Sequence, residues 1–230
     1  MGMVPLLSII IPVFHEAAGI NRTLDAIDPV AKDVRTEIIV VDGAPDGDTL
    51  AAVSDRDVLK ILSAPGRGTQ MNAGAAKASG DVLVFLHADT RLPVNAGQLI
   101  LNACKDDAVA GGAFDLGIDS PRPVFRMIEK IASLRSRLTR IAYGDQAIFI
   151  KAAVFRALGG FRPIPIMEDI DLMQRLKRQG HRIRLLRPSV RTSARRWGKE
   201  GVCYTTLRNI CLSTLFYMGV SPERLKRFYQ

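Results

Sequence analysis

Two groups of polar residues stand just beyond apolar segments, where α/β proteins do their chemistry. His87-Ala88-Asp89 follows Val82 to Leu86 (VLVFL), the most strand-like run in the chain, and in an extended segment its two flanking side chains point the same way. A hard divalent cation bridging two phosphates needs one or two such carboxylates and takes its other ligands from substrate and water. A capped turn at Asp89 and Thr90 would use the same residues. Glu168, Asp169 and Asp171 gather at a loop-to-helix junction. The positive end of a helix favours carboxylates, but three acids exceed what one helix start requires, so one is left to serve as a general base.

Three weaker signals accompany them. Asp42 ends a second apolar strand, where a carboxylate can meet a base or ribose without being buried unpaired, although Asp-Gly is also the commonest way to end a strand. Gly66-Arg67-Gly68-Thr69-Gln70 is a glycine-rich loop opening a helix, suited to phosphate contact through backbone N–H groups. It matches neither the G-x-x-x-x-G-K-[ST] nor the G-x-G-x-x-G fingerprint. Arg195-Arg196-Trp197 joins two cations to the only tryptophan; a phosphate grip and a surface Arg–Trp stack both fit it.

The elements that must position these residues read as strands alternating with helices. Leu6 to Val13 is a buried parallel strand breaking at Pro12, followed by a helix that Asp28-Pro29 stops. Glu37 to Val41 and Val58 to Leu62 are strands, Asp48 to Asp55 and Thr69 to Ser79 helices, and Val82 to Leu86 the fourth strand. Beyond Asn95 to Cys104, a helix, Ala110 to Ile118 reads as an edge strand and Val124 to Ile141 as a basic amphipathic helix. Ala147 to Ile150 and Ile183 to Leu186 are short strands, Ala153 to Leu158 and Asp169 to Gln179 helices, and the tail from Gly201 to Tyr229 is helical. The pattern predicts a mostly parallel, Rossmann-like sheet flanked by helices on both faces, with ligands at the carboxyl ends of the strands.

At 230 residues and 47% hydrophobic composition, one domain is expected over 1–230. Lys plus Arg outnumber Asp plus Glu by 32 to 23, for a net charge of +9, with the excess beyond residue 120. That balance points to an anionic partner, such as substrate phosphates or a lipid head group, or to solubility alone. Few aromatics and no RNP-like or zinc-finger pattern argue against nucleic acid. The three cysteines lack C-x-x-C spacing, so neither a disulfide framework nor a zinc site is encoded. Met1 to Ser8 has no basic segment, and Ile9 to Phe14 is too short for a signal peptide or a span, which predicts a cytoplasmic protein, with the inner face of the membrane as an alternative location.

Taken in order, these residues resemble family 2 of the inverting glycosyltransferases, which have the glycosyltransferase A fold. Ser8 to Glu16 is similar to the family's opening S-[IV]-I-[IV]-P-x-[YF]-N-E strand, and Ile38 to Asp48 to its second strand and nucleotide loop. Asn72-Ala73-Gly74 is similar to its N-x-G helix, and Gly80-Asp81 through Asp89 to its G-D-x-[IL]-x-F-L-D-A-D run. Gly159-Gly160-Phe161 with Glu168 to Leu172 resembles the G-G-F and E-D-x-[DE]-L signature. The compact length and Thr192 to Trp197 are closest to a small bacterial subgroup. The resemblance implies a nucleotide-sugar-binding half (1–95), an acceptor and catalytic half (96–200) and C-terminal helices (201–230).

It implies Asp42 on the donor base, Asp81 near the nucleotide, Asp89 on Mn²⁺ or Mg²⁺ and Asp169 as the base. Pro12, Glu16, Arg67, Asn72, His87 and Ala88 would stand around a UDP- or GDP-sugar, and Arg196-Trp197 would match the arginine–tryptophan pair of processive members. Transfer to an acceptor hydroxyl, lipid-linked acceptors included, would follow. Separately from the resemblance, the basic helix Arg122 to Arg140 and the apolar stretch Cys203 to Val220 point to peripheral membrane contact. Two departures stand out: His87 replaces the first acid of the metal loop, and Gly43 replaces a second Asp in a loop one residue short. A sugar-phosphate nucleotidyltransferase is the alternative enzyme, but its glycine-rich loop should follow the first strand. A non-catalytic membrane-surface module is the alternative outside enzymes.

Overall fold

The structure, a computed structural model, describes residues 5–54 and 56–229. The Ile- and Val-rich runs of the amino half become strands because β-branched side chains pack well on a pleated surface. In chain order the elements are β1 (Leu7–Val13), α1 (Ile20–Asp33), β2 (Thr36–Asp42), α2 (Asp48–Ala52), β3 (Leu59–Leu62), α3 (Arg67–Lys77), β4 (Val82–Phe85), β5 (Thr90–Arg91), α4 (Ala96–Cys104), β6 (Val109–Asp115), β7 (Ile118–Asp119) and α5 (Pro123–Thr139). A single 3₁₀ turn, Gly144–Gln146, leads into β8 (Ile148–Lys151), α6 (Ala152–Ala157), α7 (Glu168–Arg178), β9 (Arg182–Ser189), β10 (Arg191–Ser193), α8 (Arg195–Glu200), α9 (Val202–Tyr217) and α10 (Pro222–Lys226). The ends of two readings, Asp55 after the second helix and Met1 to Val4 before the first strand, lie outside the described residues.

The main sheet has seven strands in the order β3-β2-β1-β4-β8-β6-β9. β8 pairs antiparallel with both β4 and β6, while the other pairs are parallel, so β8 alone runs backwards. Alternating side chains divide the core. Ile10, Val41, Leu83 and Phe85 face α3, α6 and α7, whereas Ile9, Ile11, Val40 and Val84 face α1 and α4. Gly74 lets α3 lie close on the sheet: a Cβ there would stand 2.5 Å from Ile10 Cγ2. A second sheet, β5-β10-β7, takes its short strands from the segments that follow β4, β9 and β6.

Three element readings are corrected. Pro12 stays inside β1, paired with Val41. The pairing with β4 ends at Ile10, so a missing N–H on that side costs no ladder bond. Pro29 does not stop α1, which continues to Asp33. Ile20, Leu24, Ile27 and Val30 form one buried stripe across it, and that burial outweighs the lost helix bond. β6 is interior rather than an edge, with Gly111 and Gly112 pressed against Phe149 and Arg184 carbonyls.

Candidate active site

The carboxyl ends of the parallel strands open onto a cavity of about 590 Å³ walled by Arg67, His87, Asp89, Tyr143, Gly144, Asp145, Met167, Asp169, Arg195, Arg196, Trp197 and Tyr229, and by one face of α9. Strand direction assembles it. Because β8 runs antiparallel to β4, with Phe85 opposite Ile148, the turn before β8 meets the loop after β4. Gln146, fully buried, anchors that turn: its amide donates to the Phe114 carbonyl (2.9 Å) and accepts from Ser136 Oγ (2.8 Å) and from the Tyr143 N–H (3.1 Å). The Thr90 hydroxyl donates to that of Thr192 (3.0 Å), and the Ser193 N–H donates to the Asp89 carbonyl (3.1 Å). These bonds hold Arg195 to Trp197 beside the loop after β4 that carries His87 and Asp89.

The acids at the start of α7 are not equivalent. Glu168 is buried and bonded to the Arg67 guanidinium, with its Oε2 unpartnered. Burial pushes the Glu168 carboxyl up while Arg67 opposes it. Asp171 is clamped by Arg175 (2.7 Å) and Arg162 (3.2 Å). Asp169 has no ion pair among the described residues; its Oδ2 accepts the Gly144 N–H (2.5 Å), its Oδ1 the Ile170 N–H (2.8 Å), and it lines the cavity.

Asp89 and Asp145 face the same space, and neither carboxylate has a hydrogen-bond or ion-pair partner on another described residue. Burial pushes Asp145 up to about 6, opposed by Arg135 and Arg67 and reinforced by Asp169 and Asp89. Partial desolvation by the cavity walls likewise raises Asp89, which stays exposed, against the pull of Arg195. His87 is driven down to about 3 by burial and by Arg67 and Arg196, so its ring is neutral. A Cβ on Gly144 would stand 2.7 Å from His87 Nε2 and 3.2 Å from Asp169 Oδ2, so only glycine lets the turn lie over both.

Six of the residues expected at the site, Arg67, His87, Asp89, Asp169, Arg196 and Trp197, line the cavity. Arg196 bonds the Tyr229 hydroxyl, and Trp197 donates to Thr206 Oγ1 (3.3 Å) and packs edge-on to Phe125. Glu16 is at one remove, bound to Arg195 (2.7 Å). The others have different occupations. Asp42 is fully buried, and its oxygens accept the N–H groups of Ala44 (2.9 Å), Thr49 (3.1 Å) and Leu50 (3.4 Å), so it shapes the loop after β2. Asn72 is spent on Phe161, donating to its carbonyl (2.8 Å) and accepting its N–H (2.9 Å). Asp81 lies at the amino end of β4, the wrong end, where it accepts the Leu6 N–H (2.9 Å). Pro12 and Ala88 are not on the wall; the Ala88 carbonyl accepts the Thr23 hydroxyl. Within Gly66 to Gln70, Arg67 reaches the cavity, while Gly68 serves packing: a Cβ there would stand 3.1 Å from the Arg162 carbonyl.

Sequence reasoning missed Asp145, Tyr143 and Tyr229. The signal available for Asp145 was a Gly-Asp turn before a short apolar strand, indistinguishable from an ordinary turn without the direction of that strand. Elsewhere, His15, Asp46 and Asp48 bring potential ligand atoms within 4.8 Å of one another on the surface, and none of them lines the cavity. Asp48 there bonds His15 (3.1 Å) and raises its pKa.

Residues 8–159 match the family model described as glycosyl transferase family 2. The probable glycosyltransferase YdaM of Bacillus subtilis is 27% identical over 216 aligned positions, covering 80% of this chain and 49% of that protein, so the chain spans about half the length of this relative. Among solved structures, a mannosyltransferase from Pyrobaculum calidifontis in complex with GDP-Man and Mn²⁺ superposes with a TM-score of 0.61 at 24% identity, over 83% of this chain and 57% of that one. S. aureus TarS residues 1–349 in complex with UDP-GlcNAc gives 0.63 at 15%, over 81% and 58%. At these identities the likeness is one of fold, and it bears out the glycosyltransferase A architecture.

Proposed function

The chain belongs to glycosyl transferase family 2, and from that premise we propose that it moves a sugar, with inversion, from a nucleoside diphosphate sugar to an acceptor hydroxyl within the cavity. The observation that carries this reading is that Asp169, alone of the three α7 acids, has no cation on it and stands on the same wall as Asp89, Arg67 and Arg196. Asp169 takes the proton of the acceptor hydroxyl as that oxygen forms its bond to the anomeric carbon. The bond from that carbon to the diphosphate oxygen breaks on the opposite face, so one displacement inverts the centre. The Gly144 N–H on Asp169 Oδ2 fixes the carboxylate's orientation. Arg67, Arg195 and Arg196 put positive charge where the departing diphosphate develops its own.

Two carboxylates on the cavity wall without partners among the described residues, Asp89 and Asp145, offer oxygen ligands of the kind a hard divalent cation takes, the remaining ligands coming from the diphosphate and water. Asp89 with Asp145 would hold Mn²⁺ or Mg²⁺, which when bound would neutralise charge on the leaving diphosphate. On this reading residues 1–95 carry the donor half and 96–200 the acceptor half, which also brings Asp145, Arg195 and Arg196 to the donor's diphosphate. Asp42 acts on the nucleotide through the loop it shapes. The donor is a UDP- or GDP-sugar, the nucleotides borne by the two superposed proteins.

Calorimetric titration of UDP and GDP, each with Mn²⁺, Mg²⁺ or chelator, tests this on the wild type and on Asp89→Asn. Metal-dependent binding of one nucleotide, lost in the variant, is expected. Equal affinity with and without chelator would remove the metal assignment, and no binding of either nucleotide would remove the donor class.

A further inference from the structure

α9 presents two unlike faces. Thr205, Asn209 and Ser213, spaced by four, line the cavity. The opposite side, Cys203, Leu207, Ile210, Cys211, Thr214 and Met218, is exposed and carries no charge. α5 shows a matching stripe of Met127, Ile131, Leu134 and Leu138, exposed at 57% or more. α9 passes close to both ends of α5: Val202 packs into the Phe125 cluster at their amino ends, and Tyr217 lies near Tyr143 and Arg135 at their carboxyl ends. Isolated apolar residues on a surface need no explanation, but two aligned stripes form a patch of the kind that marks an interaction surface.

The charges around the patch say what covers it. Exposed Arg122, Lys130 and Arg140 border the α5 stripe, and Arg224, Lys226 and Arg227, against a single exposed acid, Glu223, lie beside exposed Phe228 beyond α9. The outward face of neither helix carries an exposed acid; Glu129 on α5 is drawn in against Arg126 (2.9 Å). No helix among the described residues is long and apolar enough to cross a membrane. Apolar stripes fringed by cations, on helices too short to span, are the pattern of interfacial binding to anionic lipid.

We propose that the outward faces of α5 and α9 dock on an anionic bilayer, and that the acceptor is an amphiphile held in it. The second clause rests on the transfer reading above; the first does not. α9 then separates the lipid from the cavity by about one helix diameter, on the order of 10 Å. That spacing suits an acceptor whose hydroxyl stands in the headgroup layer.

The test is co-sedimentation of the full chain with phosphatidylcholine vesicles, with and without phosphatidylglycerol, at low and high salt. It is run beside the triple variant Leu138→Glu, Leu207→Glu, Met218→Glu, whose positions are exposed and off the cavity wall. The wild type is expected in the pellet with anionic vesicles and about tenfold weaker without them or at high salt. The variant should lose at least about tenfold while keeping its melting temperature and its UDP or GDP affinity. A wild type that stays in the supernatant at low salt, or a variant that pellets equally, overturns the docking. A wild-type dimer in buffer that the triple variant makes monomeric assigns the face to a second copy instead, also overturning it. Nucleotide binding, read on the same samples, fails separately if the transfer reading is at fault.

Discussion

The two ends of the main sheet are built from similar residues and use them in opposite ways. At the amino end, Glu37 accepts hydrogen bonds from Ser8 Oγ (2.5 Å), Ser79 N (2.7 Å), Ser79 Oγ (2.9 Å) and Gly80 N (3.1 Å), while Asp81 accepts from Leu6 N (2.9 Å). Burial works to raise the Glu37 carboxyl, and the hydrogen bonds outweigh it, leaving it below the usual value. At the carboxyl end, Asp89 and Asp145 have no partner on another described residue, and loss of water around the cavity raises both. Three of the four described non-glycine residues with left-handed backbone are there too: His15 after β1, Ala147 after Asp145 and Met167 before Glu168. Each such conformation costs about 1 kcal/mol. One end is satisfied for stability; the other keeps its charges available to a ligand.

The largest effect that sharpens this contrast is expected from Asp169→Asn, which should lower transfer by about 10³-fold with nucleotide affinity unchanged, read by single-turnover assay beside calorimetry. Normal turnover would break the assignment of the base. Gly144→Ala comes next. Its Cβ must displace His87 or Asp169, so transfer should fall by about 10²-fold while the circular dichroism spectrum is kept. At the other end, Glu37→Gln should leave transfer intact and cost about 2 kcal/mol by urea unfolding near neutral pH. Because the folded carboxyl lies below its ordinary value, its stabilisation exists above about 4.5 and is lost as pH falls through the folded value; the difference between wild type and variant should shrink accordingly.

Asp145→Asn should show the opposite sign in metal-free buffer. An acid raised from 3.8 to about 6 costs the fold stability progressively as pH rises across that window, and the cost is complete above it. The variant should therefore melt a few degrees higher than wild type at neutral pH, about 1 kcal/mol, and alike near pH 3. A melting temperature lowered at neutral pH would place Asp145 among the satisfied groups and erase the contrast.

Much of the architecture was legible because it rests on local patterns. Continuous apolar runs marked β1, β2 and β4, and Gly159-Gly160 and Gly180 marked the ends of α6 and α7. The α1 boundary was misplaced because Val30 lies in the same buried stripe as Ile20 and Leu24, and burial of a stripe is decided by what it packs on. The site was legible in part. Asp89 and Asp169 stood out as acids at element ends. The sequence could not tell that Asp42 and Asn72 were committed to backbone groups, since Ala44, Thr49 and Phe161 become their partners only when the chain folds.

The sequence by itself determined the element types, the alternation that divides the core into two faces, and the ordered motifs that carry the family. Tertiary structure alone decided the rest, because strand direction and pairing depend on contacts distant in the chain. Reversing β8 puts Asp145 beside the loop after β4; a parallel β8 would have carried it to the end where Asp81 sits. The same packing pairs Glu168 with Arg67 and Asp171 with Arg162 and Arg175, leaving Asp169 without a cation among the described residues.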